Sequence, residues 1–463
     1  MKSEDIYRAL GNADDDLLEK SENSAAKANS TAARRRTIIK WVSVAACFAL
    51  LLTAAITAAV LLRKNNTTFT TVSRSKDLAE AYYLSSTDGS GNNLPSEEFS
   101  DAVTSFGIRL FARAYSESEN TLLSPVSAAS ALAMCQNGAA GSTADEISAA
   151  FSNLSAEEIN SGFSAFMKNS SDIGTLRLAN SLWFRDNGER LSIEGSFLYE
   201  CANSYGAQVY AEPFDNTTLK NVNKWVEEKT NRMIKDILDN VSDDDIMYIL
   251  NAAAFSADWS DKFETVRTSD SKFTNIDGSE ATVSMMNGFA EYYMENRNCK
   301  GFAKMYKGDD YYFAALLPSG DIGSFAEKLN TEQGTTELIT LLKYKEKYSA
   351  EIYMPKFSEK SDAELIPSLS SMGITSAFNP VKADFTGMVK SNEGNVFISR
   401  ITQKNRINVT ENGTRAASAT LAIGSDRCAP DVKSVYLNRP FVYMIVDAAT
   451  DIPVFIGAIN SMS

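Results

Sequence analysis

The sequence predicts a domain of the α+β class, and three features carry that expectation. Apolar residues at helical spacing open its globular part, with Phe99, Val103, Phe106, Leu110 and Phe111 on one face. Apolar runs of strand type fill its middle, and Tyr248 to Trp259 reads as one long buried strand. Near the C-terminus, Arg439 to Val446 and Ile452 to Ile459 flank Asp447 to Asp451, the pattern of a buried β-hairpin. Mixed helices and strands, with sheet-forming runs at both ends, give an α+β fold.

The chain of 463 residues is long enough for one large domain with appendages. Its formal net charge is −14, and no long basic run follows Lys76, which argues against nucleic acid as a partner. There is no histidine, so Ser-His-Asp and Cys-His catalytic sites and histidine-built zinc sites are excluded. Neither enzymatic activity nor a cofactor is expected. The five cysteines, Cys47, Cys135, Cys201, Cys299 and Cys428, lack metal-ligand spacing, and their odd number leaves at least one free thiol. Acidic runs such as Asp243-Asp244-Asp245 read as solvated loops.

Four segments follow from the pattern. Residues 1–37 are polar and read as a cytoplasmic tail. Residues 38–64 hold the uncharged run Trp41 to Leu62, preceded by Arg34-Arg35-Arg36 and bounded by Lys40 and Arg63. A run of about 20 apolar residues spans a bilayer as a helix. Its length and late start favour a retained signal-anchor over a cleaved peptide. The triple arginine places the N-terminus inside and the remainder outside the cell. Residues 65–98, rich in Ser, Thr, Asn and Gly, read as a flexible linker, and 99–463 as the globular domain.

Within that domain, a strand from Asn120 ends in Ser124-Pro125, where a helix begins with Pro125 in its first position and Ser124 as its cap. Gly138 to Ile147 ends that helix and caps the next. Leu178 to Phe184 and Tyr205 to Phe214 are strands, and Val222 to Asn231 is an amphipathic helix. Lys304 to Asp310 leads into Tyr311 to Pro318, and Ile352 to Phe357, Met372 to Ile374 and Ala383 to Phe385 complete the order.

The stretch from Ile407 is the least ordinary. Ile407 and Val409 alternate with Asn408 and Thr410 as in a strand, and Glu411-Asn412-Gly413 reads as a turn or hinge. Beyond it, Thr414, Ala416, Ser418, Thr420, Ala422 and Gly424 form one alternating face, all small. The other face holds Arg415, Ala417, Ala419, Leu421 and Ile423. Such a segment fits into a packed sheet with its small face inward and Arg415 in solvent. Taken alone, it reads equally well as a linker.

A hinge, a small-residue loop and a closing hairpin, preceded in order by the blocks above, resemble the serpins from about Phe99 to the last residue. The resemblance implies three β-sheets, eight or nine helices and an exposed reactive-centre loop. It implies a suicide inhibitor of serine proteases, held as a covalent acyl complex after its loop is cleaved and inserted into the main sheet. By that likeness the hinge comprises Glu411, Gly413, Thr414, Arg415, Ala416, Ala417, Ser418, Ala419 and Thr420. The family's spacing puts the scissile bond between Arg427 and Cys428, which suits a trypsin-like enzyme. Cleavage after Cys428 or Ala429 stays open, the latter suiting an elastase-like target, and exposed Cys428 is either redox-sensitive or incidental. The polar cluster that controls sheet opening maps to Ser124, Ser127 and Asn251, with Gln403 where the family usually has histidine. Trp259 matches the tryptophan at the top of the sheet, or simply packs in the core, and Lys356 is expected to face Glu411. A monomer is implied, without a sulfated polysaccharide, because Ser155 to Lys168 is nearly free of basic residues. A non-inhibitory serpin acting as a binding module is the alternative, disfavoured by the uniformly small inward face.

The anchor gives a direct test. Protease shaving of intact cells should release a fragment beginning between Asn65 and Glu98. Recovery of the intact chain in the soluble cytoplasmic fraction would overturn this topology.

Overall fold

The computed structural model describes residues 75–83, 94–186, 191–230, 232, 234–414 and 433–463. The helix-spaced residues that open the domain form α1 (Glu97–Ala114), started by the Ser96 hydroxyl, which accepts from the Phe99 N–H at 3.2 Å. Then come β1 (Thr121–Leu123), α2 (Pro125–Gln136), α3 (Gly141–Ala150) and α4 (Ala156–Ile173). β2 (Leu176–Arg185), β3 (Leu191–Ile193), α5 (Gly195–Tyr205), β4 (Gln208–Glu212) and α6 (Asn216–Lys229) follow. β5 (Met247–Phe255) and β6 (Ala257–Asp258) lead to β7 (Ser269–Thr274), β8 (Glu280–Ala290) and β9 (Tyr292–Glu295). β10 (Cys299–Met305), β11 (Tyr311–Pro318), α7 (Ile322–Leu329) and α8 (Glu332–Lys343) come next. β12 (Ala350–Pro355), β13 (Phe357–Glu364) and α9 (Ile366–Ser371) precede β14 (Val389–Ser391), β15 (Arg400–Thr410) and β16 (Gly413–Thr414). The last strands are β17 (Ser434–Tyr436), β18 (Phe441–Asp447) and β19 (Pro453–Ile459).

The main sheet runs β4-β2-β5-β15-β16-β6, with β13 also paired to β15. A second sheet runs β1-β19-β18-β11-β10-β9, a third β17-β12-β8-β7, and β14 with β3 makes a two-stranded ribbon. The expected C-terminal hairpin is the β18–β19 pair, buried at every residue because neither of its faces meets water. Side chains alternate across the main sheet, so its two faces pack differently. Asn251 and Ile249 look toward α2 and the large core, whereas Tyr248, Leu250 and Trp183 lie in a separate apolar cluster with Trp225 and Val226 of α6.

Some expected boundaries shift for local reasons. The long run to Trp259 is broken at Ser256, where the main chain turns to bond Thr175 O instead of a neighbouring strand. Ile352 to Phe357 is two strands in different sheets, and the chain passes between them at Lys356. Tyr205 ends α5, and the strand expected from it begins at Gln208. Among the described residues no helix is long and apolar enough to cross a membrane, and Trp41 to Leu62 lies outside those residues.

Part of the stretch expected as linker is docked. Leu78 N donates to Val209 O at 2.8 Å, and Asp77 Oδ1 accepts from Val209 N at 3.1 Å and from Ala79 N at 3.0 Å. Tyr83 donates to Ala207 O at 2.9 Å, Asn203 Nδ2 donates to Tyr82 O at 2.9 Å, and Ala79 is fully buried. Polar and main-chain groups hold this piece beside the packing of Leu78, Ala79 and Tyr82, too short a run for an apolar pattern to reveal it. Asp77→Ala should lower unfolding stability by roughly 1–2 kcal/mol. It should also speed hydrogen exchange at the Val209 amide, and unchanged exchange there would refute the docking.

Candidate functional site at the hinge and the adjoining seam

β15 meets β5 in parallel register only from Arg400–Tyr248 to Lys404–Ala252. At its upper end it instead meets β16, with Thr410 opposite Gly413 and Val409 opposite Thr414. β16 in turn pairs with β6, setting Gly413 against Asp258 and Thr414 against Ala257. Between these two zones the described residues show no ladder joining β5 to β15. The main sheet therefore has a seam, closed below and plugged above by the first residues after the hinge.

The plug is tightly specified. Gly413 has a φ of 151°, and a Cβ there would lie 2.1 Å from Ala257 O, so only glycine fits. Thr414 is buried and shares a 2.6 Å hydrogen bond with the Tyr306 hydroxyl. Tyr306 stacks on Trp259 with ring centroids 4.5 Å apart. Trp259 donates its main-chain N–H to Asn412 O at 2.9 Å and its indole Nε1 to Thr410 O at 2.8 Å. It is thus both core residue and clamp on the hinge turn.

The charged pair expected here is present, with Lys356 Nζ 3.1 Å from the Glu411 carboxylate. Thr268 Oγ1 also donates to Glu411, at 3.2 Å. Burial opposes ionisation of Glu411, yet a main-chain N–H, Lys356 and Thr268 outweigh it and hold the carboxyl below its usual range.

Beneath the seam the sheet register lines up three amides, Asn180 and Gln403 each opposite Asn251. Gln403 closes a two-way bond with one residue of α2's N-terminus. It accepts from Ser124 N at 2.8 Å and donates Nε2 to Ser124 O at 2.8 Å. Asn405 Nδ2 adds a bond to the same Gln403 oxygen at 2.9 Å. On the other bank, Asn251 Nδ2 donates to Asn180 Oδ1 at 2.7 Å, and Asn180 Nδ2 donates to Tyr205 O at 3.3 Å. The side-chain oxygens of Ser124, Ser127, Asn251 and Asn405 are buried without a partner. Ser124 does occupy the cap position of α2, but its hydroxyl does not cap, contrary to the sequence expectation.

Ser124, Asn251 and Gln403 are thus gathered below the seam, and Trp259, Lys356, Glu411, Gly413 and Thr414 above it, while Ser127 is buried in the first turn of α2. Arg415, Ala416, Ala417, Ser418, Ala419, Thr420, Arg427, Cys428 and Ala429 lie outside the described residues. Sequence reasoning missed Asn180, Asn405 and Tyr306. Asn180 was visible as a lone amide in the apolar strand Leu178–Phe184, and Asn405 as the residue sharing a strand face with Gln403. Among the described residues no carboxylate and thiol cluster is placed to hold a metal ion.

Comparison with known proteins bears on this arrangement. A family model described as serpin (serine protease inhibitor) matches residues 101–462. A serpin-like protein of Methanosarcina acetivorans is 31% identical over 384 residues, covering 79% of this chain and 86% of its own. The leukocyte elastase inhibitor of Homo sapiens is 30% identical over 388 residues, covering 79% of this chain and 100% of its own. Among solved structures, the thermophilic serpin tengpin in its native state gives a TM-score of 0.78 at 32% identity, over 84% of this chain and 100% of that one. Tengpin in its latent state gives 0.69, over 80% and 100%.

The Glu411 contacts predict an acid response. A carboxyl whose folded-state pKa is depressed stabilises the fold above its unfolded value and loses that contribution as pH falls through the folded value. Hydrogen exchange at the Trp259 amide, which bonds Asn412, should therefore accelerate on acidification through that window. In Glu411→Gln exchange should already be fast at neutral pH and respond weakly to acid; an acid response equal to the parent's would refute the link.

Proposed function

The chain belongs to the serpin family of serine protease inhibitors, and on that premise we propose that it is a suicide inhibitor cleaved after Arg427 and held outside the cell by Trp41 to Leu62. The observation that carries this reading is β16. The first small residues of the loop already lie as a strand at the mouth of the seam, between β15 and β6. A protease that attacks the bond after Arg427 forms an acyl-enzyme and frees the loop at that end. The loop then continues β16 as a new strand between β5 and β15, carrying the attached enzyme with it. Strand addition supplies the driving force, and a kinetic barrier keeps the intact form from reaching the same state.

Arginine at the cleaved position suits a trypsin-like enzyme, since a guanidinium seeks a carboxylate at the base of the specificity pocket. An elastase-like target cut after Ala429 is the second reading, favoured by the name of the human relative. Mass analysis of the product after incubation with a protease panel separates the two. The anchor rests on the charge-free run itself, and the domain division 1–37, 38–64, 65–98 and 99–463 remains the proposal, with Ser75–Tyr83 docked within the third segment.

Trypsin should form a complex with the full chain that survives boiling in detergent, and the cleaved chain should melt well above the intact one. Thr414→Arg places a charge at the buried head of the inserting strand, which costs several kcal/mol if unpaired. That variant should be cut at the same bond yet release active protease. Inhibition equal to the parent's would overturn the mechanism.

A further inference from the structure

Three consecutive carbonyls of the hinge turn are held by one short segment. Trp259 bonds Thr410 O through its indole and Asn412 O through its main chain. Between them, the Phe263 N–H donates to Glu411 O at 3.1 Å. The segment from Trp259 to Phe263 is therefore a clamp with an aromatic ring at each end. The two rings meet edge to face, their centroids 6.1 Å apart.

Both rings rest on one stretch of chain. Residues two apart along a strand share a face, and Lys304 and Tyr306, at the end of β10 and just beyond it, each take one ring. Tyr306 stacks on Trp259, and the Lys304 ammonium lies over the Phe263 ring, 5.0 Å from its centroid. Gly288 of β8 makes room for that ring, since a Cβ there would lie 2.8 Å from Phe263 Cδ1.

A lysine is seldom fully buried without a carboxylate partner. Lys304 is 1% exposed and makes no ion pair among the described residues; its Nζ donates to Phe289 O on β8 at 2.6 Å. Glu291 is turned instead to the main chain, where it accepts from Met305 N at 2.9 Å. Burial pushes the Lys304 ammonium below its ordinary range, although Glu291 and Asp261 oppose this. An apolar side chain of similar length would fill the space without desolvating a charge. What the charge adds is attraction for two groups, the Phe289 carbonyl and the face of the Phe263 ring.

We propose that Lys304 is a positioning residue for the hinge: its ammonium, anchored on Phe289 O, fixes the Phe263 ring and so keeps the Phe263 N–H on Glu411 O. Two lysines then act on Glu411 by different routes, Lys356 on its carboxylate directly and Lys304 on its carbonyl through Phe263. A cation over a ring in a desolvated site shifts a local opening equilibrium by about tenfold. This rests on the inhibitory reading above and adds the residue that governs how long the uncleaved hinge stays shut.

Hydrogen exchange on the full, uncleaved chain at neutral pH tests the assignment. In Lys304→Met the Phe263 amide should exchange about tenfold faster. The melting temperature should nevertheless equal the parent's or exceed it, because an apolar chain has replaced a buried charge. In a Phe263→Leu background, Lys304→Met should change exchange at residue 263 no further. Lys304→Leu repeats the comparison should the methionine variant fold poorly. Lys304→Met should also lose inhibitory activity several-fold sooner on storage. Unchanged exchange overturns the proposal, and so does an additive cycle or faster exchange with a lower melting temperature, the marks of a packing role alone. A chain that shows the coupling yet inhibits no protease of the panel upholds the clamp and sinks the inhibitory reading.

Discussion

β15 has to serve different partners along one of its edges. On its other edge β13 accompanies it without interruption from Thr402 to Val409, but here it meets β5 below and β16 above. The constraint propagates outward from that half-closed edge. Below, the Gln403 amide grips the main chain of Ser124, so the sheet's lower end is fixed to the start of α2. Above, the hinge turn is fastened by Trp259 through two donors and by Glu411 through Lys356 and Thr268. Between the two fastenings the described residues show no ladder joining β5 to β15, so the sheet is held there by its two ends.

The position of Lys356 gives that arrangement reach. It stands where the chain leaves β12, in the third sheet, for β13, in the main sheet. Its ammonium holds Glu411 while its own N–H donates to Ser284 O on β8. The hinge is therefore tied to both sheets through one residue. An isolated, partly exposed ion pair contributes only about 0–1 kcal/mol, so its importance lies in where it fixes the chain.

How much of this was legible depends on what holds each piece. The β18–β19 hairpin and α1 are written in apolar patterns, and both were readable because burial of those side chains forms them. Of the small face only Thr414 lies among the described residues, and the pairing of Lys356 with Glu411 was readable by family likeness. The junction at Lys356 was not, since Pro355-Lys356 interrupts the apolar run Ile352 to Phe357 without telling that the chain crosses there between sheets. The Gln403–Ser124 bond and the Asn405 contact were hidden for another reason. They depend on a long-range register among β2, β5, β15 and α2 that no local pattern encodes. The docked Ser75–Tyr83 was missed because a carboxylate and main-chain groups hold it together with only Leu78, Ala79 and Tyr82, too few to make an apolar stripe.

That docked piece has a bearing on association between molecules. β4 is the outermost strand of the main sheet, and an exposed strand edge is a template on which a neighbouring chain can add. At Val209 both ladder groups are already used, the carbonyl by Leu78 and the amide by Asp77. A foreign strand would have to strip this cover before it could pair there. The outer rim of the sheet is thus blunted at Val209 against pairing with other copies, and the cover is supplied by the chain itself, tethered beside the edge it protects and so favoured by effective concentration.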